Sequence, residues 1–130
     1  MTFTSCPFCP AAPGGDPAGV DPALIVRRWP AGTMTAFRPR RPVVPGHLIV
    51  VPAAHVPTAH ADPLITGHAA ACAAVLAAEL GVPAHNLIAS TGGQATQTVT
   101  HLHWHLVPRT AGDGLMLPWG VPSSGRPVAA

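Results

Sequence analysis

Three histidines at alternate positions, His101, His103 and His105, are the residues of this chain with the clearest capacity for chemistry. Neutral imidazole is a nucleophile, a proton carrier and a metal ligand near neutral pH, because its unperturbed pKa is about 6.5. Strict alternation with apolar residues is typical of a half-buried β-strand, which we predict over residues 101–108, with the imidazoles in a row on one face. The apolar residues would face the core, namely Leu102, Trp104 and Leu106.

A catalytic metal site made from these three histidines alone is disfavoured by strand geometry. Side chains two residues apart on one strand face start from Cα atoms roughly 6.5–7 Å apart, whereas Zn–N bonds are only about 2.0–2.1 Å long. The three rings would therefore lie too far apart at their ends to converge on one ion.

A second group with chemical capacity is the segment Cys6-Pro7-Phe8-Cys9 near the start of the chain. This spacing lets two thiolates bind one Zn²⁺, and a closed structural site then needs two further ligands. The alternative is a metal-free pair of half-buried thiols. Three cysteines do not make a paired disulfide framework, so the default location is a reducing cytoplasm.

Length and composition narrow the function classes. A chain of 130 residues predicts a single domain over 1–130, and the net charge of +2 is too small to indicate a nucleic-acid surface. The sequence has no run of 18 apolar residues free of Pro, Gly or His, so we do not expect a membrane helix. Residues 1–5 lack the features of a secretory signal. A mean hydropathy of +0.33 with 9% charged residues indicates apolar surface that a second subunit covers, so we expect a homodimer.

The elements that must position these residues follow from turn residues and apolar periodicity. A helix is predicted to begin after the N-cap Asp62, with Pro63 in its first position, and to stop at Gly81. Residues at spacings of three and four predict one apolar face on it: Leu64, Ile65, His68, Ala69, Cys72, Val75, Leu76 and Leu80. Strands are predicted over 24–29, 33–38, 47–51, 85–90 and 102–108.

These elements predict an α+β fold in which a five-stranded antiparallel sheet packs against one long helix. One helix cannot cover both faces of such a sheet, so one face is left for a site. Residues 91–98 form a polar, glycine-bearing loop suited to wrap a ligand beside the histidine strand, and residues 110–130 are predicted to be an irregular tail.

Three motifs in order resemble the histidine triad (HIT) family over nearly the whole chain. They are the Cys-x-x-Cys pair, the stretch from Pro45 to His55 (PGHLIVVPAAH), and the stretch from Gln97 to Arg109 (QTVTHLHWHLVPR). The resemblance implies a nucleotide hydrolase or transferase that cleaves at an α-phosphate through a covalent nucleotidyl-histidine. It also implies a two-fold dimer with a ten-stranded sheet.

The resemblance also assigns catalytic roles to residues of the third motif. His103 corresponds to the nucleophile, and His105 to a residue that contacts the phosphate oxygens. Thr98 falls where the family places a hydroxyl that bonds the bridging oxygen or the leaving group. Gln97 matches a neighbouring glutamine that contacts the phosphate or leaving group.

Substrate-binding residues are carried over with one departure. Phe37 and His47 match family residues near the nucleotide site, although His47 is equally explained as the start of a strand. Ser90 lies near the position of a family asparagine, and Arg40 is one of three crowded arginines that could hold a small anion. Pro39 stands where many members carry an acidic residue or asparagine that binds the ribose hydroxyls, so the sequence predicts weak discrimination between ribonucleotides and deoxyribonucleotides.

In zinc-bearing members of the family, two further ligands join the cysteine pair, and they correspond here to His55 and His101. The resemblance thus implies a structural Zn²⁺ bound by Cys6, Cys9, His55 and His101, within a clip at residues 1–12. A different function class, favoured by Pro39, is a zinc-stabilised module that binds a nucleotide or a partner with little turnover.

Overall fold

A five-stranded antiparallel sheet of order β1-β2-β3-β5-β4 and one long helix make up the body of this computed structural model, which describes residues 6–120. The elements are β1 (Ile25–Arg28), β2 (Met34–Phe37), β3 (Leu48–Pro52), α1 (Pro63–Glu79), β4 (His85–Ile88) and β5 (Trp104–Pro108). The predicted α+β architecture is confirmed, and each predicted strand is present with shorter or slightly shifted bounds. The outer parts of the predicted clip and tail, residues 1–5 and 121–130, lie outside the described residues.

The helix begins and ends where its capping residues predict. Asp62 accepts a hydrogen bond from the Ile65 amide at 3.0 Å, and Pro63 occupies the first position, where its missing N–H leaves no bond unmade. Gly81 follows the helix with φ +68°, a conformation that glycine adopts without a Cβ clash. Within residues 6–120 no helix is long and apolar enough to cross a bilayer.

The buried face of α1 is narrower than predicted. Small side chains dominate it: Ala69, Cys72, Ala73, Leu76 and Ala77. The prediction was wrong for four residues that are exposed, namely Leu64, His68, Val75 and Leu80. The helix is apolar nearly all round, so periodicity alone could not identify the face on which alanines allow the closest approach to the sheet.

The sheet separates two apolar clusters. On the helix side, the first cluster includes Met34, Ala36, Leu48, Val50 and Leu106. On the opposite side, the second cluster comprises Phe8, Phe37, Ile49 and Val51. Alternate residues of β2 and β3 therefore face opposite clusters, as the two-residue period of a strand requires. The face without the helix is partly covered by the segment that carries Phe8.

The histidine strand starts later than residue 101. β5 begins at Trp104, so His101 and His103 lie in the turn that leads into it. The Leu102 amide donates to the Val56 carbonyl, outside the sheet ladder, which holds this turn against the segment after β3. The alternation still places Leu102 in the interior, and the ring centroids of His103 and His105 are 5.1 Å apart. The His101 ring, in contrast, lies in a separate cluster with Cys6, Cys9 and His55.

Candidate functional site

Cys6, Cys9, His55 and His101 converge, with ligand atoms that all lie within 4.8 Å of one another. The sulfur-to-nitrogen distances run from 3.2 to 3.7 Å, and the two Nδ1 atoms are 3.2 Å apart. A tetrahedral Zn²⁺ with ordinary Zn–S and Zn–N bonds requires ligand separations of about 3.3–3.8 Å. The four residues therefore fit a closed structural zinc site that ties the start of the chain to the sheet.

Among these four ligands, His101 is already in the protonation state that zinc needs. His101 is fully buried, which lowers its pKa to about 4 and keeps the ring neutral. Its Nε2 lies 2.8 Å from the Pro52 carbonyl, and since a carbonyl only accepts, Nε2 carries the proton and Nδ1 offers its lone pair to the metal. Burial and the neighbouring Cys6 raise the pKa of Cys9 to about 11, and a bound dication would reverse that shift.

His103 presents the opposite nitrogen. Its Nδ1 lies 2.8 Å from the backbone carbonyl of His101, so Nδ1 donates and Nε2 keeps a lone pair. Burial lowers the pKa of His103, which keeps the ring neutral at physiological pH. The Phe8 ring packs edge-on at a centroid distance of 5.2 Å. A buried, neutral imidazole with one fixed tautomer is suited to attack an electrophile through Nε2.

His105 is oriented by a chain of hydrogen bonds that starts at the backbone. The Val43 amide donates to His47 Nδ1 at 3.2 Å, so the proton of neutral His47 lies on Nε2. That nitrogen is 2.9 Å from His105 Nδ1 and donates to it. Burial lowers the pKa of His47 and lowers that of His105 to about 4, so both rings are neutral. His105 is left with Nε2–H as a donor beside His103.

The glycine-bearing loop is fastened by the side chain of Gln97. Its amide nitrogen donates to the Pro57 and Val99 carbonyls at 2.7 and 3.1 Å, and its oxygen accepts from the Gly92 amide at 2.9 Å. The structure thus places Gln97 as a brace between this loop and the segment after His55. Thr98 is exposed and Ser90 half-buried; the predicted substrate contacts of these two residues and of Gln97 stay predictions.

A cavity of about 300 Å³ opens over the second apolar cluster, on the face opposite α1. Its floor includes Phe8 and Phe37, and its walls come from residues 19–24 and 38–40, so predicted substrate residues Phe37 and Arg40 both line it. Asp21 also lines the cavity, and no sequence pattern singled this residue out. Residues 10–23 are rich in Pro and Gly and were predicted only as loop, so this carboxylate was missed.

A second cavity of about 260 Å³ lies on the other side of the histidine pair and includes His47 and His105 in its lining. Residues 115–117 of the tail line it too, because Arg109 fastens the tail. Arg109 donates to Asp113 and to the Leu115 carbonyl, and to Asn86 Oδ1 of β4. The Arg109 guanidinium holds the pKa of Asp113 well below its usual range. The spacing of Arg109 and Asp113 is a signal that sequence analysis overlooked.

Comparisons with known proteins agree with this geometry. The family model described as HIT domain matches residues 30–112. An uncharacterised HIT-like protein of Mycobacterium tuberculosis is 33% identical over 123 residues, covering 89% of this chain and 79% of that protein.

Two solved structures are also similar. A zinc-bound histidine triad family protein from Mycobacterium smegmatis is 30% identical with a TM-score of 0.63, covering 74% of this chain and 72% of that one. A histidine triad protein from Clostridium difficile is 26% identical with a TM-score of 0.69, covering 85% of this chain and 95% of that one.

Proposed function

The chain belongs to the HIT domain family, and from that premise we propose that it is a nucleotide hydrolase or nucleotidyl transferase that cleaves at the α-phosphate through a covalent intermediate on His103. Family members are in general nucleotide hydrolases. Substrates of the phosphoramidate or dinucleoside-polyphosphate type suit this chemistry, because each carries a nucleoside monophosphoryl group joined to a group that can leave.

The observation that carries the proposal is the hydrogen bond from His103 Nδ1 to the His101 carbonyl. It fixes the tautomer in which Nε2 has a lone pair, and burial keeps that lone pair unprotonated. A tautomer held before the substrate arrives needs no reorganisation during the reaction, which is how preorganised sites lower a barrier.

The reaction has two displacement steps. In the first, His103 Nε2 forms a bond to phosphorus while the bond from phosphorus to the leaving group breaks, and the leaving group departs with that electron pair and takes a proton from solvent. In the second, water forms a phosphorus–oxygen bond, the phosphorus–nitrogen bond breaks and its electron pair returns to Nε2. The water loses one proton, so the enzyme ends unchanged.

His105 and the loop residues act on the phosphoryl group. His105 Nε2–H donates to a non-bridging phosphate oxygen, and the His47 ring holds it in the orientation that allows this. The Thr98 hydroxyl donates to the bridging atom or the leaving group. Gln97 keeps the loop that carries Thr98 in place through its three backbone hydrogen bonds.

We propose that the working form is a homodimer. β4 lies at the edge of the sheet and pairs only with β5 among residues 6–120, and its residue Ile88 is exposed. The exposed helix residues Val75 and Leu80 add apolar surface. Edge strands tend to be covered or paired, so we expect sedimentation at tens of micromolar to show a dimer. A monomer at that concentration would contradict the proposal.

We infer a cytoplasmic location from the cysteine chemistry. Cys6, Cys9 and Cys72 are free thiols in the structure, and the first two are needed as metal ligands. A reducing compartment keeps such thiols available.

A turnover screen tests the proposed activity. Adenosine phosphoramidates, dinucleoside polyphosphates and nucleotide-sugars should be supplied to the zinc-loaded protein, with His103→Ala as the blank. Release of a nucleoside monophosphate from at least one class, absent from the blank, supports the enzyme. Nucleotide binding without release would instead support the non-catalytic binding module.

A further inference from the structure

The cavity over the second apolar cluster places one carboxylate among aromatic and cationic groups. Among the described residues that line it, Asp21 is the acidic side chain, and Arg38 and Arg40 line it as well. The formal charge of these three side chains is +1, so the cavity can hold a carboxylate and still attract an anionic nucleotide. Phe8, which lines the cavity, contacts His103, so this space adjoins the proposed nucleophile.

The Asp21 carboxylate is partly fixed and partly available. One oxygen, Oδ1, accepts from the Ala23 amide at 2.9 Å, which limits rotation of the side chain. A carboxylate has about four acceptor positions, so Oδ2 and the second lone pair of Oδ1 remain for a ligand. Pro39 lines the same cavity without any side-chain donor or acceptor.

The wall that carries Asp21 is fastened to the zinc-binding segment. The Gly19 amide donates to the Pro7 carbonyl at 2.8 Å, and the Ala18 amide donates to the Cys9 carbonyl at 2.9 Å. Position 19 also requires glycine, since a Cβ there would lie 2.7 Å from Pro7 Cα. The carboxylate is therefore presented by a wall that the metal site holds in position.

We propose that Asp21 is the specificity-determining residue for the sugar, and that its carboxylate accepts hydrogen bonds from the vicinal 2′- and 3′-hydroxyls of a ribonucleotide. The proposal rests on the proposed function, because it concerns the nucleotide that His103 attacks. The sugar is the part of a nucleotide nearest the phosphorus, and this cavity is adjacent to His103. Hydroxyl hydrogens need an acceptor, and neither arginine nor proline side chains offer one.

This assignment reverses the expectation that Pro39 alone suggested. Hydrogen bonds from a ligand to a charged group are stronger than neutral ones, and the group left unpaired by a deoxy analogue is penalised. We expect the wild type to prefer the ribo form over the 2′,3′-dideoxy form by about 10- to 100-fold in kcat/KM.

The test compares three proteins on matched substrates. The kcat/KM for adenosine phosphoramidate and its 2′-deoxy, 3′-deoxy and 2′,3′-dideoxy analogues should be measured for the wild type, Asp21→Ala and Asp16→Ala. Ala removes both acceptor oxygens, including the one that accepts from the Ala23 amide, so zinc content and Tm are measured alongside to show that the wall keeps its fold. Asp16 pairs with Arg28 and does not line the cavity, so its variant is the matched control.

The ribo preference should fall below about threefold in Asp21→Ala and persist in Asp16→Ala. Equal kcat/KM for ribo and deoxy forms in the wild type would overturn it while the proposed activity stands. An equal loss of kcat/KM in Asp21→Ala for all four substrates, with the ribo preference unchanged, would overturn it in favour of a contact elsewhere on the nucleotide.

A binding arm separates this proposal from the proposed activity. Calorimetric Kd values for AMP and 2′,3′-dideoxy-AMP, measured on the same three zinc-loaded proteins, do not require turnover. If no substrate is cleaved but AMP binds more tightly than its dideoxy form only when Asp21 is present, the sugar contact is supported and the catalytic proposal fails. Equal Kd values, or no binding of AMP, would overturn the sugar contact.

Discussion

Two clusters that contain histidines lie side by side in this protein, one formed by candidate metal ligands and one that contains the proposed nucleophile. In the metal cluster, His55 and His101 meet Cys6 and Cys9, and their ligand atoms point at one another. In the reactive cluster, His103 and His105 adjoin two cavities. Burial lowers the pKa of His101 in the metal cluster and of His103 and His105 in the reactive cluster, so the direction of the pKa shift does not distinguish these histidines.

The difference is the backbone carbonyl that each ring meets. His101 donates from Nε2 to Pro52, which frees Nδ1 for a metal, whereas His103 donates from Nδ1 to His101, which frees Nε2 for attack. His101 therefore belongs to both clusters, since its ring lies among the metal-ligand atoms and its carbonyl orients the proposed nucleophile. In the proposed mechanism, this one backbone position couples metal binding to the orientation of His103.

The largest expected effect comes from His103→Ala, which should disable the reactive cluster alone. Turnover should fall by at least about 10⁴-fold, because the attacking atom is gone, while nucleotide Kd changes only a few-fold. The zinc content should stay at one per chain, as measured by elemental analysis. His60→Ala, at an exposed histidine, is the control; a His103→Ala protein with wild-type turnover would rule out the covalent route.

Cys9→Ser should break the metal cluster and then impair the reactive one. Loss of zinc should lower Tm by at least about 10 °C, because metal-binding free energy is folding free energy in a site of this kind. Turnover should fall as well, since the His101 carbonyl is no longer held. Cys72→Ala is the matched control, because Cys72 lies on the buried face of α1, away from the metal ligands, and its substitution should leave the zinc content unchanged. Full zinc occupancy in Cys9→Ser would contradict the ligand assignment.

His47→Phe sharpens the comparison by altering only the orientation of His105. Phe retains the ring but removes the donor to His105 Nδ1, so kcat should fall about tenfold, the equivalent of one buried hydrogen bond, with KM within twofold. His47→Gln supplies an amide donor and should recover part of the loss. If both variants match the wild type in kcat, His47 does not position His105.

The smallest effect is a dependence of stability on pH. The pKa of His105 is lowered to about 4 in the folded chain by burial and by the neighbouring His103 and His47, against about 6.5 when unfolded. Between these values the unfolded chain binds one more proton than the folded chain. The contribution of neutral His105 to the free energy of unfolding is therefore fully present above pH 6.5 and is lost as pH falls toward 4. Urea midpoints of zinc-saturated protein should therefore vary less steeply with pH in His105→Gln. Parallel curves for the two proteins would contradict this.

The sequence was sufficient to predict the helix, the five strands and the four metal ligands. Capping residues located the helix, and the resemblance to the HIT family grouped Cys6, Cys9, His55 and His101. It could not locate Asp21, because the position of an irregular wall depends on contacts such as Gly19 with Pro7. It also missed the start of β5, since the turn through His101 is set by tertiary contacts to Pro52 and Val56 that periodicity does not encode.

The most direct test of the account is the tautomer of each histidine in the zinc-loaded protein at pH 7.5. Long-range ¹H–¹⁵N correlation spectra of histidine-labelled protein, assigned with single His→Ala variants, report which ring nitrogen carries the proton. We predict a proton on Nδ1 for His103, and protons on Nε2 for His101, His47 and His105, with His101 Nδ1 bound to metal. A His103 ring protonated on Nε2 would contradict the claim that the backbone carbonyls assign the roles of these histidines.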